Sequence, residues 1–307
     1  MEERKMADKI ATREAYGKAL AEFGDKYDFV VLDADLAAAT KTGIFKKKFP
    51  DRFFDVGIAE GHAVTMSAAM ARAGLKPYVA IYSTFLQRAY DQLINDVCLS
   101  GLPVTFCIDR SGIVGEDGAT HHGIFDLSFL CALPGITVVS PASLLEAEEL
   151  LEWSINFSKP LAIRYPREEA IVSYPFKASI PYWVPYGELY SEKIILATGA
   201  KMVENAVSAQ KILKDKGINV DVVNARFNKP LDTVMLDSIK DREIYTLEDG
   251  LLKGGFGDSV RAYYKNKRIR SKGIDDRFVA HGDTRSLFAE LQLDAESIAE
   301  WIISDEA

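Results

Sequence analysis

Cysteine and histidine are scarce in this chain of 307 residues, with three of the first and four of the second. Cys98, Cys107 and Cys131 are odd in number and fall in stretches that read as helix, strand and helix. They form no Cys-x-x-Cys pair, which argues against a zinc ribbon, a redox dithiol or a disulfide framework. We expect reduced thiols in the core. His62, His121, His122 and His281 lack the His-Glu-x-x-His spacing, so no metal site is expected in this chain. Positive charge is also in deficit. The net charge of -8 comes from 45 acidic against 37 basic residues, without the concentrated basic face that a nucleic-acid backbone requires. No apolar run approaches the roughly 20 residues that cross a bilayer, and the opening MEERKMADKI is charged where a signal peptide is apolar. No nucleic acid and no membrane are expected as partners, and the cytoplasm is the expected location.

What the chain does have is apolar material for two cores, 48% of its residues, over a length suited to roughly two domains of about 150 residues. Short β-branched or aromatic runs at 29–34, 77–83, 103–109, 136–141 and 160–166 alternate with longer segments of helical period. That alternation predicts an α/β fold with a largely parallel sheet covered by helices on both faces. Residues 173–192 are rich in proline and aromatics and have no clear period. They read as a linker that packs, because Trp183 and the tyrosines would be unfavourable to expose. A second βα series follows, with strands expected at 193–200, 218–225, 242–249 and 276–282, a helix near 201–216, and a helix entered through GGFGDSV. The expected organisation is one α/β domain over 1–172, the linker, and a smaller α/β domain over 193–307.

Ligands of open parallel sheets sit beyond the carboxyl ends of strands, which directs attention to the loops opening at Tyr82 and Asp109. DRSGIVGEDGATHHG, residues 109–123, is far longer than a crossover needs and holds Arg110, Asp117, His121 and His122. IYSTFLQRAYDQ, residues 81–92, supplies Tyr82, Phe85 and Arg88, and AIRYPRE, residues 162–168, adds Arg164 and Arg167. Arginines present planar, bidentate donors suited to a substrate phosphate.

The order FFDVGIAEGHAV, KPYVAIYSTFLQRAYDQ, DRSGIVGEDGATHHGIFDLSFL, RYPRE, VVNARFNKPLD and LEDGLLKGGFG resembles the carboxyl half of the transketolase family of thiamine diphosphate enzymes. Most of these motifs follow the branch of the 1-deoxy-D-xylulose-5-phosphate synthases. The amino-terminal stretch IATREAYGKALAEFGDKYDFVVLDADLAAATKTGIFKKKFPDRF is more similar to transketolases, particularly those split into two polypeptides. Nearly the whole chain takes part.

The resemblance implies that Glu60, after GIA, hydrogen-bonds a ring nitrogen of the cofactor's aminopyrimidine and promotes the tautomer that deprotonates the thiazolium carbon. Such a carboxyl has to sit in an apolar setting and share a proton with a weakly basic ring. The alternative is that Glu60 merely complements the positive end of the following helix. Phe85 matches the aromatic that stacks on the aminopyrimidine, with Arg88 and Tyr82 beside it; otherwise Phe85 is a core residue. His121 matches a histidine that contacts substrate hydroxyl and carbonyl groups and moves protons, and otherwise is a polar loop residue. Asp117 matches a reader of a sugar hydroxyl, though EDG is equally a plain turn. Arg13, Arg110 and Arg167 are candidates for the substrate phosphate, against surface charges. His122 has no counterpart with a role. Two departures stand out: Ala39 falls where transketolases use a phosphate-binding serine, and Gly61 replaces a usual glutamine, leaving room beside the cofactor ring.

In the family the cofactor's diphosphate and magnesium are held by a Gly-Asp-Gly sequence and a later asparagine, and no Gly-Asp-Gly occurs here. We therefore expect half an enzyme, with thiamine diphosphate shared with a separate diphosphate-binding subunit that carries the Mg2+ ligands, assembled as a dimer of heterodimers. GGFGDSV looks like a phosphate loop, but its glycines equally suit close helix packing. The alanine-rich helix after Glu60 suits either a subunit interface or burial in its own domain. The expected reaction is transfer of a two-carbon ketol unit from a ketose to an aldose, both commonly phosphorylated. The alternatives are decarboxylating addition of pyruvate to an aldehyde phosphate, the beta subunit of a 2-oxoacid dehydrogenase, and a non-catalytic scaffold.

Overall fold

The computed structural model describes residues 9–171, 174–175 and 178–305. Strand β1 (Lys9–Ala11) leads into α1 (Thr12–Phe23), and then β2 (Val30–Asp33), α2 (Gly43–Lys48), β3 (Phe53–Asp55) and α3 (Glu60–Arg72) follow. Next come β4 (Pro77–Tyr82), α4 (Ser83–Leu86), a 3-10 turn, α5 (Tyr90–Gln92), a π-helical turn over Leu93–Cys98, β5 (Thr105–Asp109) and α6 (Asp126–Cys131). Strand β6 (Thr137–Val139), α7 (Leu144–Ser154), β7 (Leu161–Arg164) and β8 (Glu169–Ile171) complete this half. The carboxyl half runs β9 (Val184–Pro185), β10 (Lys193–Ala197), α8 (Ala200–Asp215), β11 (Val220–Asn224), β12 (Phe227–Lys229) and α9 (Thr233–Ser238). It ends with β13 (Glu243–Leu251), α10 (Phe256–Tyr264), β14 (Ile269–Ile274), α11 (Thr284–Glu290) and α12 (Ala295–Ser304).

Two sheets result, as the alternating pattern predicts. The larger has the order β12-β6-β7-β5-β4-β2-β3, the smaller β14-β13-β10-β11-β9, and β1 pairs with β8 in a separate antiparallel ribbon. The central strands are buried along their whole length, so their sequences read as continuous apolar runs. Parallel pairing aligns their carboxyl ends, which carry Asp33, Asp55, Tyr82, Asp109 and Arg164 along one edge.

Several strands escaped the sequence reading. Strands β3, β9 and β12 have only two or three residues, too few to show a period. The run at 276–282 is not a strand. The edge strand of the smaller sheet is β14, while residues after it form an exposed connection in which Phe278 is 77% exposed. The IRSKGI of β14 is polar at its middle because only its ends are buried.

The carboxyl half also reaches into the amino half. Strand β12 of the carboxyl half adds antiparallel to β6 in the larger sheet, and β9 adds to β11 in the smaller. Trp183 is buried at the join, its ring N–H donating to Phe227 O at 2.8 Å, whereas Tyr182 and Tyr190 are exposed, contrary to expectation. Buried ion pairs bind the halves as well. Arg164 Nη2 donates to Asp126 at 3.0 Å and to Asp249 of β13 at 3.1 Å, and Arg226 Nη1 donates to Glu146 of α7 at 3.0 Å.

Candidate active site

Glu60 is the first residue of α3, preceded by Ala59, whose side chain offers the helix start no cap. One face of α3, including Ala63, Val64, Ser67, Ala68 and Ala71, is buried, and this draws Glu60 inward to 4% exposure. The opposite face, with His62, Thr65, Ala69 and Arg72, is exposed. Arg88 donates from Nη1 to Glu60 Oε1 at 3.0 Å, although the arginine itself is 60% exposed. The guanidinium lies 5.2 Å from the Phe85 ring centre. Beside Gly61 the expected room is bounded by Gln92. A Cβ on Gly61 would lie 3.4 Å from Gln92 Oε1, an atom buried without a hydrogen-bond partner among the described residues.

From Glu60 the cluster continues through rings. Phe85 stacks on Tyr82, with centres 5.0 Å apart and planes at 28°, and His121 meets Phe85 edge-on at 5.6 Å. The Arg110 guanidinium also lies over the Tyr82 ring, 3.7 Å from its centre. Thus α3, the turn after β4 and the loop after β5 deliver Glu60, Arg88, Phe85, Tyr82, His121 and Arg110 to one place. His121 Nδ1 lies 2.9 Å from the Thr120 hydroxyl, and the ring is half-buried.

The arginines differ in freedom. Arg110 is buried and backbone-strained, with φ 63°, and is held by Asp109, which accepts from its N–H at 2.7 Å and from Nη1 at 2.8 Å. Burial pushes the Asp109 carboxyl up to about 6 against the lowering pull of Arg110, then Arg13 and Arg167. Arg167 pairs with Asp117 at 3.0 Å, both partly exposed. Arg13 Nε is buried without a hydrogen-bond partner among the described residues. Three arginines against two aspartates leave the pocket one positive charge in excess when both acids are ionised. Arg164, read as a further phosphate donor, is instead locked in its buried ion pairs and has no exposed face.

Sequence reasoning passed over three residues that shape this region. Asp33, ending β2, accepts from Thr40 and Thr42 hydroxyls at 2.9 and 2.8 Å and so folds the loop that carries Ala39. Asp109 served only as a loop marker, although an acid closing an apolar strand is itself a signal. His122 is fully buried: Val114 N–H donates to Nδ1 at 2.9 Å, and Nε2 lies 3.0 Å from Ala280 O. The glycine-rich GGFG turn is not open to an anion, because Glu248 fills it and accepts from the N–H groups of Phe256 at 2.7 Å and Gly257 at 2.9 Å. Among the described residues no group of three or more His, Cys, Asp or Glu side chains is placed to hold a metal, and no helix is long and apolar enough to cross a membrane.

Comparison with known proteins identifies the family and the fold. Residues 8–171 match the family model described as the transketolase pyrimidine binding domain, and residues 189–298 match the transketolase C-terminal domain. A 1-deoxy-D-xylulose-5-phosphate synthase from Clostridium perfringens is 46% identical over 94% of this chain, and one from Halothermothrix orenii is 44% identical. The chain spans 48% of the length of the first of these. Among solved structures, a split gene transketolase described as an inactive beta4 tetramer superposes with a TM-score of 0.83 at 29% identity, covering 95% of this chain and 97% of that one. Transketolase from Campylobacter jejuni shares the fold, with a TM-score of 0.83 at 21% identity over 98% of this chain and 48% of that one. The chain belongs to the transketolase family of thiamine diphosphate enzymes, of which it carries the pyrimidine-binding and carboxyl-terminal domains.

Proposed function

We propose that this chain is one subunit of a two-polypeptide, transketolase-type transferase that moves a two-carbon ketol unit from a ketose to an aldose. The observation that supports this most is the continuous cluster of Glu60, Arg88, Phe85, Tyr82 and His121 at the ends of β3, β4 and β5. The donor set fits the aminopyrimidine end of thiamine diphosphate. It offers a partly exposed aromatic face on Phe85, a buried carboxyl on Glu60, and an unpartnered amide oxygen on Gln92 beside Gly61. The Gly-Asp-Gly sequence that holds the diphosphate end and its Mg2+ in the family does not occur in this sequence. We assign that role to a separate polypeptide, in keeping with the split transketolase among the similar structures.

When bound, thiamine diphosphate supplies the nucleophilic carbon and the electron sink for cleaving a bond beside a carbonyl. The chain's own residues position and titrate. Glu60 would hold the aminopyrimidine through a proton shared with a ring nitrogen, while Arg88 donates to its Oε1 and orients the carboxyl. Phe85, backed by Tyr82, gives the ring a stacking face. His121 exchanges a proton with a substrate hydroxyl, and Asp117 accepts from another. Arg13, Arg110 and Arg167 receive the substrate phosphate. Of these, Arg13 and Arg110 each keep a buried Nε–H without a partner among the described residues, although Arg110 Nη1 is paired with Asp109, and Arg167 is paired with Asp117.

The 46% identity to 1-deoxy-D-xylulose-5-phosphate synthase favours a second reading, decarboxylation of pyruvate with addition of the remaining two carbons to an aldehyde phosphate. One experiment separates the two. The chain is mixed with a diphosphate-binding companion, cofactor and Mg2+, and is offered xylulose 5-phosphate or pyruvate, each with an aldehyde phosphate. Transfer from the ketose supports the first reading, and CO2 release from pyruvate the second. Under either, Glu60→Ala lowers turnover about 10²–10⁴-fold, the range for loss of a proton-transfer group; an unaffected variant removes Glu60 from the chemistry.

A further inference from the structure

We propose that His122 is a positioning residue. It latches the loop bearing Asp117 and His121 onto the carboxyl-terminal domain, which thereby sets where the candidate substrate groups stand. The loop's two ends are tied by reciprocal backbone bonds, Gly112 N–H to Gly123 O at 2.9 Å and Gly123 N–H to Gly112 O at 2.8 Å. Between them the span is mostly turn, with Ile113 buried in the core of the carboxyl half and Gly282 N–H donating to Gly115 O at 3.4 Å, while its tip at Glu116, Asp117, Ala119 and Thr120 is exposed. His122 bridges it both ways. Its Nδ1 accepts from Val114 N–H within the loop, so the ring proton resides on Nε2 and is donated to Ala280 O in the segment after β14.

The rest of the loop is seated on the same domain. Leu251 N–H donates to Ile124 O at 2.9 Å just past the loop. A Cβ on Gly112 would lie 2.1 Å from Asp249 Oδ2, and one on Gly118 would lie 3.1 Å from His281 Cβ. These approaches leave no space for side chains at the seat, and across it His122 supplies a side-chain hydrogen bond at 3.0 Å beside the longer backbone bond from Gly282 N–H to Gly115 O at 3.4 Å. The carboxyl-terminal domain, to which no chemistry is otherwise assigned, thereby acts as the anvil for Asp117 and His121.

Only the neutral imidazole can accept from Val114. Burial lowers the proton affinity of His122 below that of an ordinary histidine, opposed by the Ala280 carbonyl and by Asp117 and reinforced by His121. The latch therefore contributes fully above the usual histidine range and is lost as pH falls through the depressed folded value.

The inference rests on the reading that Asp117 and His121 contact substrate, and the test separates the two ideas. In hydrogen exchange on the chain, His122→Asn keeps an acceptor for Val114 but is too short to reach Ala280, whereas His122→Gln places an amide donor at that reach. Amides of 112–123 and 278–284 should exchange about tenfold faster in His122→Asn, as loss of a buried hydrogen bond gives, and less so in His122→Gln. Mild acid should loosen the same segments in the wild type but not in His122→Gln. In the reconstituted enzyme, His122→Asn should raise the substrate KM about tenfold with cofactor affinity unchanged. Wild-type exchange in His122→Asn, equal loss in both variants, or a released loop with an unaltered KM would each overturn the latch. A wild-type enzyme that turns over no donor counts against the transfer reading, and the exchange result then decides the latch alone.

Discussion

Tyr82 carries two loads, since its ring backs Phe85 and also takes the Arg110 guanidinium. Arg110 reaches it through a left-handed backbone that an arginine adopts at a cost of about 1–2 kcal/mol, offset here by its two bonds to Asp109. Asp109 titrates accordingly. With its folded value raised by burial to about 6, the folded chain binds a proton that the unfolded chain has already released between about pH 4 and 6. Its contribution to stability is thus complete at the acid end and lost as pH rises through that window. Denaturation of Asp109→Asn across the same range should lack this slope, whatever its overall stability; an identical slope would show that another group is responsible. Of the residues in this cluster, Glu60, Phe85, Arg88 and His121 were legible in the sequence because short motifs name them. Asp109 and His122 were not, because their importance lies in partners that only folding brings near.

Among the elements, α10 shows how a motif can mislead. GGFG reads as an anion-binding turn, but its N–H groups are already taken by the chain's own Glu248 from β13, whose carboxyl burial pushes up to about 8. No local pattern relates position 248 to 256. Removing it in Glu248→Ala should destabilise the protein by about 1–3 kcal/mol, because two buried backbone donors lose their acceptor. Chemical denaturation would measure this, and stability within 0.5 kcal/mol of the wild type, about the scatter of surface substitutions, would mean that water replaces the carboxylate. Helix α7 is the opposite case. Ser143 caps it, accepting from Glu146 N–H at 3.3 Å, and Glu146 reaches back to Ala142 N–H at 2.6 Å. This is a local signature of a helix start, yet the same carboxylate also takes Asn224 and Arg226 from the other half.

For the whole molecule, the buried ion pairs of Arg164 and Arg226 and the crossing strand β12 decide how the halves behave. Arg164 is shared between Asp126 of one half and Asp249 of the other with no exposure at all. Its replacement in Arg164→Met strands two carboxylates in the interior, an effect of about 3–5 kcal/mol. Because β12 ties the carboxyl half into the larger sheet and the buried ion pairs span the join, we expect one cooperative unfolding transition whose midpoint falls, measured by calorimetry; two separated transitions would show that the halves unfold independently. The sequence by itself determined the α/β class, the parallel core strands and the family, since these depend on periodicity and on short contiguous motifs that survive without any partner. Only the tertiary structure decided that Arg164 is a strut held in buried ion pairs, that GGFG is already filled, that a strand of one half completes the sheet of the other, and that His122 joins the 112–123 loop to the far half. Each of these depends on groups far apart in the chain, from the 8 or 9 residues between Glu248 and α10 to the 158 between His122 and Ala280, and contacts of that kind leave no repeat for a sequence to display.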